Sequence, residues 1–343
     1  MNKNITISII VPIYNVEKYL SKCLDSLINQ TFEDIEIWAI SDGSPDNSVD
    51  IIKKYAIKDD RVKCIEKENG GYGSVLEYAI KNINTEYFLI CDPDDWLRED
   101  AIEVLYNSAK KYDLDFVYGA YYKVFSNDMS EHYASGIICE NAYKPIPNKV
   151  ITEDIDKMWF LAASPHSKLY KTKLAKKIKF PHKVSFTDLV LYTMYLPNVK
   201  AAMYIDEGLS YYLLDRPGNS VTDINPRVVD YYYTVYNSIM VQSKNAKRLE
   251  DYFYYVMFLR IRDCSISMTR IKNKNEFNEK KKIMYEIFED LSKYRKSIYK
   301  YINKNYYSES KKRVLAYKLL LSPITSKMTF NFLMNKTYND QVR

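Results

Sequence analysis

No apolar run in this chain approaches the ~20 residues that a membrane-spanning helix needs. Met1–Thr6 has no cationic stretch leading into a long apolar run, so no secretory signal is expected. Cysteine is scarce: Cys23, Cys64, Cys91, Cys139 and Cys264 make five in 343 residues. The number is odd and no C-x-x-C pair occurs, which argues against a zinc site and for a reducing compartment. Internal repeats and low-complexity linkers are also missing. These absences lead to the expectation of a cytoplasmic protein, with peripheral contact to the inner face of the cell membrane left open.

What is present supports a folded enzyme-sized chain. A hydrophobic content of 47% supplies a core and excludes disorder, and the length suggests two or three domains or subdomains. The net charge of +6 is uneven. Residues 291–343 carry twelve Lys or Arg against Glu309 and Asp340, an excess of ten, so the remainder is net acidic by four. A basic tail of this kind suits an anionic surface. Nucleic acid is not expected, because no recognised binding module accompanies the charge.

The first third alternates short apolar strands with helical spacing. Ile5–Ile13, Ile35–Ile40, Val62–Ile65 and Tyr87–Ile90 read as strands, and Phe116–Val124 as another. Between them, Val16–Asn29, a segment through Ile51, Ile52 and Tyr55, one opened by Gly70, Gly71 and Gly73, and Asp100–Lys111 read as helices. That alternation predicts an α/β fold with a mainly parallel, Rossmann-like sheet flanked by helices. Beyond Ser126 the alternation stops. Glu153–Ala162 and Asp188–Tyr195 read as helices, Ser167–Tyr170 and Leu209–Leu214 as strands, and Thr172–Lys177 as a helical turn. From Pro226 onward only helices are expected, over Pro226–Gln242, Ala246–Ile271, Asn278–Ile302 and Lys311–Leu320. The division expected is 1–125, the alternating α/β half; 126–225, a second half of the same domain; and 226–343, a helical basic region.

Ligands of parallel sheets sit at the carboxyl ends of the strands. Four polar loops fall there: Pro12-Ile13-Tyr14-Asn15, Ser41-Asp42-Gly43-Ser44, Glu66–Gly71, and Asp92-Pro93-Asp94-Asp95. The last puts three carboxylates in four residues. A solvated turn tolerates such crowding, and a hard cation such as Mg²⁺ or Mn²⁺ makes it favourable. Asp94 or Asp95 can also cap a helix starting near Leu97.

In order and spacing these loops resemble family-2 glycosyltransferases, inverting, metal-dependent enzymes with a GT-A fold. The resemblance extends to Asn69-Gly70-Gly71-Tyr72-Gly73-Ser74, to Lys168-Leu169-Tyr170 with Leu174, to Phe186-Thr187-Asp188, and to Arg216-Pro217-Gly218-Asn219-Ser220-Val221. It covers about Ile7 to Thr222 and departs from the family at Thr187, where a Glu is usual, and at Glu77, where an amide or basic residue is common.

The resemblance implies a sugar-nucleotide donor, UDP-linked by preference, and a glycan or lipid-linked acceptor in surface-polysaccharide assembly. Pro12, Tyr14, Asn15, Asp42, Asn69, Gly70, Gly71, Asp92 and Arg216 are the implied donor-binding residues. Asp94, with Asp92, is the implied metal pair, and Asp188 the implied general base. Each has a plainer alternative. Asp42 can form an Asx turn before Gly43. The glycines can simply make a tight strand-to-helix turn. Asp188 can cap its own helix, and Arg216 can be a solvated loop residue. His166 and His182 are competing bases, and either can be an ordinary surface or loop histidine. In the tail, basic residues flank apolar clusters at Val314–Leu321 and Met328–Met334. An interfacial helix on anionic lipid and packing against the catalytic domain or a second subunit both fit. The alternative functions are a metal-dependent nucleotidyltransferase that makes a nucleotide sugar, and a non-catalytic glycosyltransferase-like subunit.

Overall fold

The structure is a computed structural model and describes residues 5–138, 144–217, 227–244, 249, 251–304, 310–322 and 324–342. Cys139, the expected loop residues Gly218–Val221 and the expected helix starts at Pro226 and Ala246 lie outside the described residues. The chain forms two compact units, residues 1–219 and 220–343.

In the first unit the order is β1 (Ile7–Ile13), α1 (Glu17–Ile28), β2 (Ile35–Asp42), α2 (Ser48–Lys58), β3 (Val62–Lys67), α3 (Tyr72–Asn82), β4 (Tyr87–Ile90), β5 (Trp96–Leu97), α4 (Ala101–Tyr112), β6 (Phe116–Phe125), β7 (Glu131–Ala134), β8 (Val150–Ile151), β9 (Lys168–Lys171), α5 (Thr172–Ala175), α6 (Asp188–Tyr195) and β10 (Ala202–Leu214). The sheet runs β3-β2-β1-β4-β9-β6-β10-β5, with β7 beside β6 and β8 beside β10. Its first four strands are parallel. Every residue of β1 is buried, as a strand covered on both faces requires. Leu20, Cys23, Leu24 and Leu27 of α1 pack one face of these strands together with Ile52 and Ala101, Ile102 and Leu105.

Beyond β4 the sheet becomes mixed. β9 enters antiparallel between β4 and β6, and β10 runs parallel to β6 with irregular register around Gly208. A periodicity argument reads β9 as a strand but not its pairing. The strand expected at Leu209–Leu214 begins already at Ala202, because Ala202–Ile205 pairs with Phe116–Gly119. Glu153–Ala162 is not an α-helix but a short 3₁₀ segment, Ile155–Phe160.

In the second unit the helices are α7 (Arg227–Ser243), α8 (Asp251–Met268), α9 (Lys274–Ser292), α10 (Arg295–Lys304), α11 (Lys311–Leu320) and α12 (Ser326–Val342). The single helix expected over Asn278–Ile302 is two. At Lys293 and Tyr294 the backbone bonds reach Asp290 and Leu291, three residues back, which tightens and ends α9. Asn273 and Ser310 cap α9 and α11 through their side chains.

One buried hydroxyl ties β9, the turn before β6 and α6 together. Tyr195 Oη accepts from Lys171 N at 2.7 Å and donates to Asp115 O at 2.6 Å. Tyr195→Phe removes both bonds while Lys171 N keeps its own bond to Asp115 O at 3.0 Å, so a loss of about 0.5–1.5 kcal/mol is expected. Urea denaturation of wild type and variant at one pH measures it; an unchanged midpoint contradicts it.

Candidate active site

The carboxyl ends of the parallel strands carry the polar loops, and the structure shows how each is held. Pro93 sits inside a turn closed by Asp95 N to Asp92 O at 3.0 Å. The chain then enters β5, not a helix. Helix α4 begins at Ala101 with Asp100 at its N-cap position, so neither Asp94 nor Asp95 is a cap.

The three acids of this turn find three different partners. Tyr72 Oη donates to Asp92 Oδ1 at 2.8 Å. Arg216 Nε donates to Asp94 Oδ2, and its guanidinium lies 5.2 Å from the centre of the Tyr19 ring. Asp95 is buried; its Oδ1 accepts from Leu213 N at 2.8 Å and its Oδ2 lies 2.7 Å from His166 Nε2. Burial, then the charges of Asp95 and Asp94, push the Asp92 carboxyl up to about 8.

His166 is not a surface histidine. It is 5% exposed, packed between Tyr121 at 5.1 Å and Tyr212 at 4.2 Å. Burial pushes its imidazole down to about 4, and its Nδ1 has no hydrogen-bond partner. His182 is the exposed histidine, 3.0 Å from Glu77 Oε2.

Asp42 is engaged from three sides. Lys67 Nζ reaches Oδ1 at 2.6 Å, and the N–H groups of Gly70 and Gly71 donate to Oδ1 and Oδ2 at 3.0 and 2.7 Å. Asn69 Nδ2 donates to the Asp42 carbonyl at 2.9 Å. Asp42 therefore organises the glycine turn across strands β2 and β3, rather than forming an Asx turn. Gly71 has φ +82°, a conformation that favours glycine.

Asn15, at φ 54°, donates its N–H to Ser44 Oγ at 2.8 Å, and Ser44 Oγ donates to Asp46 Oδ1 at 2.6 Å. Pro12 is buried within β1 and Tyr14 is 50% exposed at its end. Neither side chain joins the hydrogen-bonded groups of Asp42 or Asp92 among the described residues.

Asp188 is the first residue of α6. Thr187 holds the N-cap position without a side-chain cap bond, so the capping alternative for Asp188 does not hold. The Asp188 charge acts on Tyr72, together with that of Asp92, and burial raises this phenol most. Tyr72 thus lies within electrostatic reach of both carboxylates.

Comparison with protein families matches residues 8–179 to "Glycosyl transferase family 2". The chain belongs to that family. This family-2 member is 33% identical over 225 residues to glycosyltransferase GlyG of Streptococcus pneumoniae, which is 63% of this chain and 72% of GlyG. Glycosyltransferase GlyA of the same organism is 35% identical over 179 residues, 51% of this chain; the match spans only 25% of GlyA's length. Among solved structures, Staphylococcus aureus TarS 1–349 in complex with UDP-GlcNAc superposes with a TM-score of 0.70 at 21% identity, covering 98% of this chain and 92% of that one. The shared architecture is the GT-A fold.

For this glycosyltransferase the quoted motifs did not disclose Lys67, Tyr72, Tyr19 or Leu213 as site partners. Tyr72 stands between Gly71 and Gly73 in the glycine segment and Lys67 within the polar loop Glu66–Gly71, both visible signals; Leu213 gave none. The acid turn also fits a divalent cation. One ligand atom each from Asp92, Asp95 and His166 lies within 4.8 Å of the others. Asp94 is bonded to Arg216 and is not part of that grouping.

Burial alone would raise the Asp46 carboxyl, but the Ser44 hydroxyl and the N–H groups of Glu17 and Ser48 that donate to it hold it down to about 2. A depressed carboxylate stabilises the fold above its unfolded value near 4, and the contribution fades as pH falls towards 2. Asp46→Ala is expected to cost about 1–2 kcal/mol at pH 7 after solvent screening. Urea titrations should show the gap to wild type narrowing between pH 5 and pH 3.

Proposed function

We propose that this family-2 glycosyltransferase moves a sugar from a UDP-linked donor to a glycan or lipid-linked acceptor, with inversion, in surface-polysaccharide assembly. The observation that carries the reading is the juxtaposition around Tyr72: its hydroxyl holds Asp92 of the acid turn while the charge of Asp188 reaches the same ring. In family-2 terms that sets a donor-side and an acceptor-side carboxylate about one residue. The glycosyltransferase names of its relatives and the UDP-GlcNAc bound by TarS are consistent with it.

In this reading Asp42, Asn69, Gly70 and Gly71 shape the nucleoside side, with Pro12, Tyr14 and Asn15 at its rim. Asp92 and Asp94 would hold Mg²⁺ or Mn²⁺, which supplies positive charge to offset the departing nucleoside diphosphate. Asp188 accepts the proton of the acceptor hydroxyl as that oxygen bonds the anomeric carbon and the bond to the diphosphate oxygen breaks. Arg216, once released from Asp94, would pair with the diphosphate. The expected division at 125 and 225 is kept as a functional proposal: donor half, acceptor half and helical region.

UDP release from UDP-glucose, UDP-galactose and UDP-N-acetylglucosamine, with and without EDTA, tests this. Metal-dependent UDP release supports transfer chemistry. Pyrophosphate release from nucleoside triphosphates instead indicates a nucleotidyltransferase, and UDP binding without turnover a non-catalytic subunit. Asp188→Asn is expected to keep UDP affinity and lose at least a hundredfold in turnover, within the range for general-base catalysis; near-normal turnover eliminates Asp188 as base.

The second unit bears an anionic-membrane reading of its own. No helix among the described residues is long and apolar enough to cross a membrane. On α11, α12 and their connection, Leu315, Leu319, Ile324, Met328 and Phe332 are exposed, Ile324 at 93%. Lys311, Lys312, Arg313, Lys327 and Lys336 are exposed beside them in sequence. Apolar side chains among lysines suit the interface of an anionic bilayer. Ile324→Glu with Phe332→Glu is expected to release the protein from phosphatidylglycerol vesicles in co-sedimentation. Unchanged binding refutes the role, and a loss of dimer in place of vesicle binding reassigns the face to a second copy.

A further inference from the structure

The glycine segment resembles a donor-side loop, yet its glycines face elsewhere. A Cβ on Gly73 would meet Pro181 O at 2.4 Å, Thr187 Cγ2 at 3.0 Å and Phe180 Cβ at 3.2 Å. A Cβ on Gly71 would meet Lys183 N at 2.8 Å and Cα at 2.9 Å. All these atoms belong to the stretch 180–187 that runs directly into Asp188. The two backbones are also bonded, Lys183 N donating to Gly70 O at 2.7 Å. Farther along α3, Glu77 holds His182 at 3.0 Å and Lys179 at 3.8 Å.

That stretch is under backbone strain. Lys183 has φ 56° and Phe186 φ 65°, two side-chain-bearing residues in the left-handed region within four positions. Such residues persist only where the surroundings over-determine them. The surroundings here are the glycine turn. The turn is fixed in its own right by Asp42, which accepts from Gly70 and Gly71, and Tyr72 between the glycines holds Asp92.

We propose that Gly71 and Gly73 are positioning residues for Asp188: their bare backbone is the seat on which the strained 180–187 segment rests, so the turn registers the acceptor-side carboxylate against Asp92. The missing side chains make room for the protein's own chain rather than for the sugar nucleotide. The same contact explains the tolerance of Thr187, buried at 0% exposure. Its methyl packs toward Gly73, a packing role in which no carboxylate is needed. The proposal rests on the reading of Asp188 as the base.

Gly73 separates these roles better than Gly71, whose positive φ and bond to Asp42 would confound a substitution. Its own φ lies in the ordinary range, so Gly73→Ala meets only the close approach of Pro181, Thr187 and Phe180. The experiment measures UDP affinity by calorimetry and turnover as UDP release from UDP-N-acetylglucosamine, UDP-glucose and UDP-galactose, for wild type, Gly73→Ala and Asp188→Asn. Gly73→Ala is expected to keep UDP affinity and stoichiometry within about twofold while turnover falls at least tenfold, since a displacement of about 1 Å can cost a hundredfold. Unchanged turnover overturns the proposal. So does a proportional loss of UDP affinity, which would return the glycine to the donor side. If Gly73→Ala does not fold, Glu77→Ala loosens the same seat from a half-buried helix position. It is expected to lower turnover two- to fivefold at constant UDP affinity, and no change overturns the proposal. Asp188→Asn keeps the two ideas apart. If it retains turnover, the base assignment falls; if it loses turnover while Gly73→Ala does not, only the positioning role falls.

Discussion

Mutual repulsion among Asp92, Asp94 and Asp95 is the constraint around which the catalytic unit is arranged. Three carboxylates at the end of one buried strand cannot all be ionised at low expense without partners. The fold supplies one from each direction: a phenol from α3, a guanidinium from the end of β10, and an imidazole and an N–H from the segments around β9 and β10. Each partner draws a different part of the chain to the same edge. The acid turn is thus a hub of tertiary structure as well as a candidate ligand site. A group whose repulsion is only partly relieved is well suited to accept a cation.

Asp42 performs a parallel task one strand away. Its carboxylate gathers Lys67 and two glycine N–H groups into a fixed turn. Through that turn the parallel half of the sheet is tied to the stretch preceding Asp188. On the proposed reading, donor-side and acceptor-side residues are therefore not independent patches: they share one backbone seat beside Tyr72.

Much of this was legible from local pattern. The buried strands β1, β2 and β4 announced themselves as apolar runs, and α1 by apolar residues three and four apart, because burial on a sheet or helix face forces those periods. The clustering of polar loops at strand ends also followed from the alternation alone. Partnership was not legible. Asp42 meets Lys67 across 25 residues, Asp95 meets His166 across 71 and Asp94 meets Arg216 across 122. His166 looked like a loop histidine because it is in a loop; only packing between two tyrosines buries it. The helix cap offered for Asp94 or Asp95 failed for a related reason. Pairing of Tyr211 and Ser210 with Trp96 and Leu97 draws the chain into β5 and delays the helix to Ala101.

The sequence by itself determined the α/β alternation, the polar loops at the carboxyl edge, the acid turn and the helical basic region. These depend on local periods, on proline and glycine, and on charge, all of which act within a few residues. Tertiary structure alone decided which acid meets which partner, that β9 enters antiparallel beside β4, and that the glycines face the chain leading to Asp188. Those outcomes depend on register between strands far apart in the chain, and one strand's side-chain pattern fits several registers until the whole core selects one.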